Sequence, residues 1–185
     1  MEANSHIKIL NTILMYDTAV EEEKRFLMSV EDFRKAVADG KIKIYDALKI
    51  EQTWFGKGDK YTARIRKTTN GFENESLSKI GEEKYEHTVK HHIQKGVDYE
   101  ITTDLTEKDY ELLQNLYKDE KKQIKLRLYV KNSDGSNEDY VITVDIPYDQ
   151  PDICWVEFEL KDAKIGKNKE INKFIKPDWV KVKKV

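Results

Sequence analysis

Residues 153–160 read Ile-Cys-Trp-Val-Glu-Phe-Glu-Leu, and this stretch decides the fold. Successive side chains of a β-strand point to opposite faces of the sheet, so Val156 and Phe158 share one face while Glu157 and Glu159 share the other. Like charges on one strand face are costly unless a group of opposite charge lies between them. The stretch therefore predicts a strand with an apolar face and an acidic face that calls for a cationic partner.

Same-sign pairs of this kind recur along other strand-like segments. They are Glu21 with Glu23, Arg64 with Arg66, and Lys125 with Arg127. For any single pair the solvated face of an ordinary amphipathic strand is the simpler interpretation. The set of pairs is more informative, because a ligand that carries both phosphates and metal ions would neutralise acidic and basic pairs together. A closed barrel has room for polar interior faces, and its apolar outer faces can pack on helices.

The spacing of apolar residues and turn residues predicts the secondary structure. Predicted strands cover residues 20–28, 47–55, 61–68, 82–91, 97–103, 123–130, 140–146 and 153–160. Ser29 with Asp32 forms a capping box for a helix that ends at Gly40, and Thr106 caps a second helix. A third, short helix is expected before Pro177. We therefore expect an α+β fold, an antiparallel eight-stranded β-barrel with flanking helices.

Composition limits the number of domains and the classes of partner. The chain has 185 residues, so we expect a domain over 20–185 preceded by an N-terminal extension over 1–19, in which residues 7–10 form a short strand or docking segment. Charged residues make up 37% of the chain, yet 33 basic and 35 acidic side chains leave a net charge of −2. So balanced a charge gives no bulk attraction to nucleic acid or membrane. A solvated surface is the alternative interpretation of these charges.

Cysteine content and hydropathy indicate the compartment. Cys154 is the single cysteine, which excludes an intrachain disulfide and a cysteine zinc site, and its apolar surroundings predict a buried, inert thiol. No apolar run approaches the length of a membrane span, and the N-terminus lacks the apolar core of a signal peptide. We expect a cytoplasmic protein without membrane partners, and a homodimer is compatible with that expectation.

The charged segments resemble a known family. Residues 21–27, Glu-Glu-Glu-Lys-Arg-Phe-Leu, are similar to the ExExK signature of the CYTH or triphosphate tunnel metalloenzyme family, with Arg25 where the signature has lysine. Further matches follow in the family's order: Gln52-Thr53-Trp54-Phe55, Arg64-Ile65-Arg66, Thr88-Val89-Lys90, Tyr99-Glu100-Ile101, Lys125-Leu126-Arg127, Asp145, Glu157-Phe158-Glu159 and Pro177-Asp178-Trp179. The resemblance covers about residues 20–180. Two positions depart from it: Thr102 replaces an acidic residue, and residues 181–185 are lysine-rich rather than acidic.

The resemblance implies an enzyme and assigns its residues. It implies divalent-metal-dependent hydrolysis of inorganic triphosphate or a nucleoside triphosphate, with release of the terminal phosphate inside a charged barrel. The implied ligands of Mg²⁺ or Mn²⁺ are Glu21, Glu23, Glu157, Glu159 and Asp145. The implied phosphate-binding residues are Arg25, Arg64, Arg66, Lys90, Lys125 and Arg127. Lys90 and Glu100 are the implied catalytic residues, with Glu100 orienting the attacking water.

Two other functions remain open from the sequence. The same family includes class IV adenylyl cyclases, which would release cyclic nucleotide and pyrophosphate. A module that binds polyphosphate or nucleotide without turnover is the third hypothesis. His87, His91 and His92 are interpreted as surface histidines, because adjacent residues of a strand point in opposite directions. Trp54, Trp155 and Trp179 are interpreted as core or rim aromatics, and Trp54 alone could stack on an organic group at the mouth of the barrel.

Overall fold

A computed structural model describes residues 18–58, 60–71, 81–94, 97–161 and 174–183. The eight strands are β1 (Thr18–Ser29), β2 (Ile42–Lys57), β3 (Tyr61–Asn70), β4 (Glu83–Gln94), β5 (Val97–Leu105), β6 (Lys121–Asn132), β7 (Tyr140–Pro147) and β8 (Ile153–Leu160). All eight predicted strands are confirmed. The start of β2 was predicted too late, because an irregularity between Ile44 and Asp46 interrupts the alternation on which the prediction depended.

The strands form a closed antiparallel barrel in the order β1-β5-β4-β3-β2-β6-β7-β8. Closure depends on β1, which changes partner halfway along its length. Residues 18–22 of β1 pair with β5, and residues 23–29 pair with β8. Because no edge strand remains, every strand has hydrogen-bonding neighbours on both sides, and the inward side chains surround one lumen. The structure thus confirms the predicted α+β barrel.

In the described part of the chain, two helices flank the barrel, α1 (Val30–Ala38) and α2 (Glu107–Leu116). Ser29 caps α1, since its Oγ accepts from the backbone N of Asp32 at 3.1 Å and donates to the carboxylate of Asp32 at 2.8 Å. Gly40 follows the helix with φ of +70°, a conformation that L side chains rarely adopt. Thr106 caps α2 through Asp109 in the same way, at 3.2 Å. Both predicted caps are confirmed.

The apolar core lies outside the barrel wall. The outward faces of β1, β2, β6, β7 and β8 pack against α1 and the C-terminal segment 174–180. Phe158 and Val156 are fully buried there, and each such side chain contributes roughly 1.5–3 kcal/mol of burial free energy. Trp179 joins the core with its Nε1 donating to Asn132 Oδ1 at 2.8 Å. Because this layer supplies the burial, the lumen is free to remain polar.

Cys154 lies in the same core, as predicted. Its side chain is fully buried, and its Sγ lies 3.9 Å from the backbone carbonyl oxygen of Ser29. Burial, assisted by the nearby carboxylate of Asp32, raises the pKa of the thiol to about 12. A thiol with so high a pKa is a poor nucleophile at neutral pH. The predicted burial of Cys154 is therefore confirmed, and its inertness stays a prediction.

Three predictions concern parts of the chain outside the described residues. The proposed strand or docking segment at residues 7–10 lies there, as does most of the extension 1–19. Of the short helix expected before Pro177, residues 174–176 are described and are not helical, and residues 162–173 lie outside the description. Among the described helices, none has the length and apolar character needed to cross a membrane.

Candidate functional site

The lumen encloses a cavity of about 430 Å³ that is lined mainly by charged side chains. Its position follows from the strand alternation, which turns every second side chain of a strand inward, so that both members of a same-sign pair face the lumen. The predicted site residues that line it are Glu23, Arg25, Arg64, Arg66, Lys90, Glu100, Lys125, Arg127, Asp145, Glu157 and Glu159. The backbone of Glu21 pairs with Asp98 across β1 and β5, and its side chain lies outside the described part. The site residues predicted from sequence therefore share one cavity.

On the wall formed by β6, β7 and β8, basic and acidic side chains are matched. Arg127 donates from Nε to Asp145 Oδ1 and from Nη2 to Asp145 Oδ2, both at 2.7 Å, so the pair is bidentate. The same Nη2 lies 2.8 Å from Glu157 Oε2. Lys125 pairs with Asp145, and Arg25 pairs with Glu157. We call these five residues the matched cluster.

The matched cluster shifts the pKa values of its members. Burial alone would lower the pKa of Arg127, yet the hydrogen bonds and charges of Asp145 and Glu157 outweigh it and raise the pKa. Burial would raise the pKa of Asp145, but Arg127 and Lys125 hold it below its usual range. Lys125 differs from both, because burial and the charge of Arg127 together lower its pKa to about 8. Of these three residues, Lys125 is therefore the one whose pKa lies closest to neutral pH.

The wall formed by β3 carries positive charge with weaker compensation. Arg66 Nε is buried without a hydrogen-bond partner among the described residues. Burial, together with the charges of Arg64 and Arg127, lowers the pKa of Arg66 to about 10, and Glu86 and Glu100 offset this only in part. A buried guanidinium that repels its neighbours is costly unless an anion satisfies it. Around Arg66, the described residues of the lumen therefore carry too little negative charge to balance the cations.

The wall formed by β1 and β8 carries an excess of negative charge, and we call it the acidic wall. Glu23 and Glu159 are directly opposed in the β1–β8 pairing and both line the cavity. Burial raises the pKa of Glu159, and the carboxylates of Glu100 and Glu23 raise it further, while Lys90 and Arg127 oppose the shift. Opposed like charges destabilise a sheet, and a divalent cation between them would remove the repulsion.

The donor set on that wall fits a hard cation, although it is small among the described residues. Glu23 and Glu159 supply carboxylate oxygens, the ligands that Mg²⁺ and Mn²⁺ prefer, and Mg²⁺ commonly retains several waters. No group of three or more potential ligands is found in the part of the chain that the structure describes. Asp145 and Glu157 are engaged by the matched cluster. The metal-ligand roles of all five acidic residues stay predictions.

Lys90 and Glu100, the residues predicted to be catalytic, lie opposite each other on β4 and β5. Lys90 Nζ is 3.0 Å from Glu100 Oε2, and Thr102 Oγ1 donates to Glu100 Oε1 at 2.9 Å. Thr102 in turn lies 3.2 Å from Thr88 Oγ1. The threonine that departs from the family pattern thus holds the carboxylate of Glu100 in position.

Sequence reasoning did not assign to the site several residues that line the cavity, among them Gln52, Gln123, His92 and Asp98. Gln52 and Gln123 face each other across β2 and β6, with Gln52 Nε2 donating to Gln123 Oε1 at 2.7 Å. His92, interpreted as a surface residue, lines the cavity and lies 2.8 Å from Asp98 Oδ1 through its Nδ1. Strand alternation from Lys90 to His92 could have found the histidine, whereas the glutamine pair depends on a register that sequence does not reveal.

Solved structures with a similar fold exist. The PH1819 protein from Pyrococcus horikoshii OT3 is 18% identical with a TM-score of 0.59, over 83% of this chain and 84% of that chain. The PH1012 protein from the same organism is 18% identical with a TM-score of 0.55, over 82% of this chain and 84% of that chain. A Bacillus halodurans protein named "putative adenylate cyclase" is 16% identical with a TM-score of 0.51, over 83% of this chain and 88% of that chain.

No protein-family profile matches the chain, and no curated protein matches it. At identities this low, the likeness to solved structures shows the fold alone. The barrel fold is thus shared with proteins from Pyrococcus horikoshii and Bacillus halodurans.

Proposed function

We propose that this protein is a divalent-metal-dependent hydrolase of a triphosphate, acting inside the barrel. The observation that carries the proposal is the separation of charge in one closed lumen. Arg66 on β3 has a buried Nε without a hydrogen-bond partner among the described residues, and Glu86 and Glu100 offset its charge only in part. On the opposite side of the lumen, Glu23 and Glu159 are directly opposed carboxylates whose repulsion adds to the raised pKa of Glu159. A polyphosphate with a bound metal ion satisfies both walls at once.

The basic wall suits phosphate groups. Arg64 and Arg66 share the inward face of β3, and each guanidinium presents a planar fork of donors that matches two phosphate oxygens. Lys90 lies on β4, the strand next to β3, while Lys125 and Arg127 lie on β6, which β2 separates from β3. Several cations around one chain of phosphates also stabilise the charge that develops on the transferred group.

The acidic wall suits a metal ion. Glu23 and Glu159 would hold Mg²⁺ or Mn²⁺, with Glu21 as the further ligand that the resemblance implies. When bound, the ion supplies electrophilic stabilisation of phosphate oxygens and lowers the pKa of a bound water. Asp145 and Glu157 contribute chiefly by holding Arg127, Lys125 and Arg25 in place.

The chain's own residues account for positioning and proton transfer. Glu100, held by Lys90 and Thr102, would accept the proton of the attacking water. Water forms a bond to the terminal phosphorus, the bridging P–O bond breaks, and orthophosphate leaves together with the shortened polyphosphate. Lys90 would neutralise charge beside this step.

A phosphate-release assay tests the proposal. Purified protein is incubated with inorganic triphosphate and with nucleoside triphosphates, in Mg²⁺ or Mn²⁺ and again with a chelator. We expect release that requires the metal and that falls strongly in Glu100→Gln. If no triphosphate yields phosphate with either metal, hydrolysis is ruled out.

Binding without turnover is the second candidate, and the matched cluster favours it. Asp145 and Glu157 are occupied by cations rather than available to a metal ion. This function predicts tight binding in calorimetry, little turnover and no rate loss in Glu157→Gln. Cyclic nucleotide with pyrophosphate, separated by chromatography, would instead show cyclase chemistry, the activity that the name of the Bacillus halodurans protein states for that protein.

A further inference from the structure

Part of the lumen is unsuited to phosphate. Gln52 is 3% exposed, and its amide nitrogen donates to Gln123 while its Oε1 is buried without a hydrogen-bond partner among the described residues. Two positions along β2, on the same face, Trp54 lines the cavity. We call Gln52, Trp54 and Gln123 the amide–indole patch.

The patch adjoins the proposed phosphate site. Trp54 pairs with Arg64 across β2 and β3, and the guanidinium lies over the indole at 5.3 Å from the ring centroid. Gln52 is opposite Arg66 in the pairing of the same two strands. Gln52 and Trp54 are therefore each opposite one of the two arginines. A single ligand can thus contact both the amide–indole patch and the proposed phosphate site.

Phosphate groups alone do not satisfy the amide–indole patch. An ionised phosphate offers only acceptor oxygens, whereas Gln52 Oε1 needs a donor. Phosphate likewise gains little from the apolar face of an indole. An aromatic ring that carries N–H or O–H groups satisfies both requirements, because bases stack on tryptophan and donate from their exocyclic and sugar groups.

We propose that the amide–indole patch binds the organic part of a nucleoside triphosphate, with the base stacked on Trp54 and a donor group directed to Gln52 Oε1. The inference rests on the proposed function and narrows its substrate class, since it favours nucleoside triphosphate over inorganic triphosphate. Trp54 and Gln52 are then residues that determine specificity.

Calorimetry on the full chain tests the inference with two probes. The β,γ-imido analogue of ATP and inorganic triphosphate are each titrated, with Mg²⁺ and again with a chelator. We expect Trp54→Leu to weaken binding of the ATP analogue roughly 5- to 100-fold, the range of one lost base stack. Binding of inorganic triphosphate should stay unchanged, which also shows that the variant is folded. Trp54→Phe should restore most of the affinity for the analogue.

Trp155 provides the matched control. It lines the same lumen and lies beneath Arg25, 5.6 Å from the guanidinium carbon to the ring centroid. Trp155→Leu should leave the ratio of the two affinities as in the wild type. Equal affinities of both probes for the wild type, or an equal loss of both in Trp54→Leu, would overturn the inference and leave a polyphosphate site standing. If neither probe binds the wild type, the proposed function fails and this inference fails with it.

Discussion

Two arginines in the same lumen have opposite electrostatic surroundings. Arg127, on β6, is held by Asp145 and Glu157, and its pKa is raised even though it is buried. Arg66, on β3, is buried beside Arg64 and Arg127, and its pKa is lowered to about 10. Both side chains come from arginine-x-arginine or lysine-x-arginine patterns that look alike in the sequence.

The comparison separates a cation that stabilises the folded protein from a cation that is available to bind an anionic ligand. A buried charge whose partners are protein carboxylates contributes to the integrity of the apo protein. A buried charge with incomplete compensation raises the energy of the apo protein and recovers that energy when an anion arrives. Removal of the two charges should therefore have opposite consequences for stability.

The largest effect is expected from Arg127→Met. The change leaves Asp145 and Glu157 buried with reduced compensation, and breaking one side of such a pair costs about 3–5 kcal/mol. Urea unfolding at neutral pH measures the loss. Lys84→Met serves as the control, because it removes the two ion pairs that Lys84 makes with Glu86 and Asp104. Since this lysine is 60% exposed, the change should cost less than about 1 kcal/mol. Equal costs in the two variants would contradict the role of the matched cluster.

Arg66→Met should affect binding rather than folding. Without ligand, its unfolding free energy should equal or exceed that of the wild type, because a poorly compensated buried charge has been removed. Affinity for inorganic triphosphate should fall roughly 10- to 100-fold, as expected for one hydrogen-bonded charge. Calorimetry and urea unfolding give the two values. A loss of stability as large as that of Arg127→Met would show that Arg66 also belongs to the fold.

The pH dependence of stability tests the lowered pKa of Lys125 in the matched cluster. The pKa of Lys125 is about 8 in the folded protein, mainly because of burial, and the pKa of an unperturbed lysine is about 10.4. Between these values the unfolded state binds more protons, so stability rises with pH. The unfolding free energy of the wild type, relative to that of Lys125→Met, should increase by about 2–3 kcal/mol between roughly pH 7 and pH 10. A difference independent of pH would contradict the lowered pKa.

The smallest effect concerns the acidic wall. Glu159→Gln removes the repulsion from Glu23 and Glu100, so thermal unfolding in chelator should show a gain of about 0.2–1 kcal/mol. The same variant should lose any stabilisation that Mn²⁺ or Mg²⁺ gives the wild type. Glu31→Gln, at an exposed position of α1, is the control. Metal stabilisation that survives in Glu159→Gln would exclude this wall as the metal site.

Local pattern predicted most of the fold. Alternation along residues 153–160 placed Glu157 and Glu159 on the face opposite Phe158, and the helix caps at Ser29 and Thr106 follow from short-range hydrogen bonds. These features depend on neighbours in the sequence, so a single chain reveals them.

Pairing across the lumen could not be predicted. That Arg127 contacts Asp145, or that Gln52 contacts Gln123, depends on the order and register of strands far apart in the chain. The sequence predicted most of the charged residues that share the cavity, and it did not distinguish the matched cation from the poorly compensated one. That distinction depends on electrostatic interactions between residues far apart in the sequence, which form only when the barrel closes.

Calorimetric titration of the wild-type protein with inorganic triphosphate, in Mg²⁺, tests the central claim most directly. Under that claim, a polyphosphate anion and a bound metal ion together balance the charges of the lumen. The claim predicts saturable binding of one triphosphate per chain, weakened by added salt and strongly reduced in Arg66→Met. Absence of binding to the wild type, or binding that is unchanged in Arg66→Met, would contradict it.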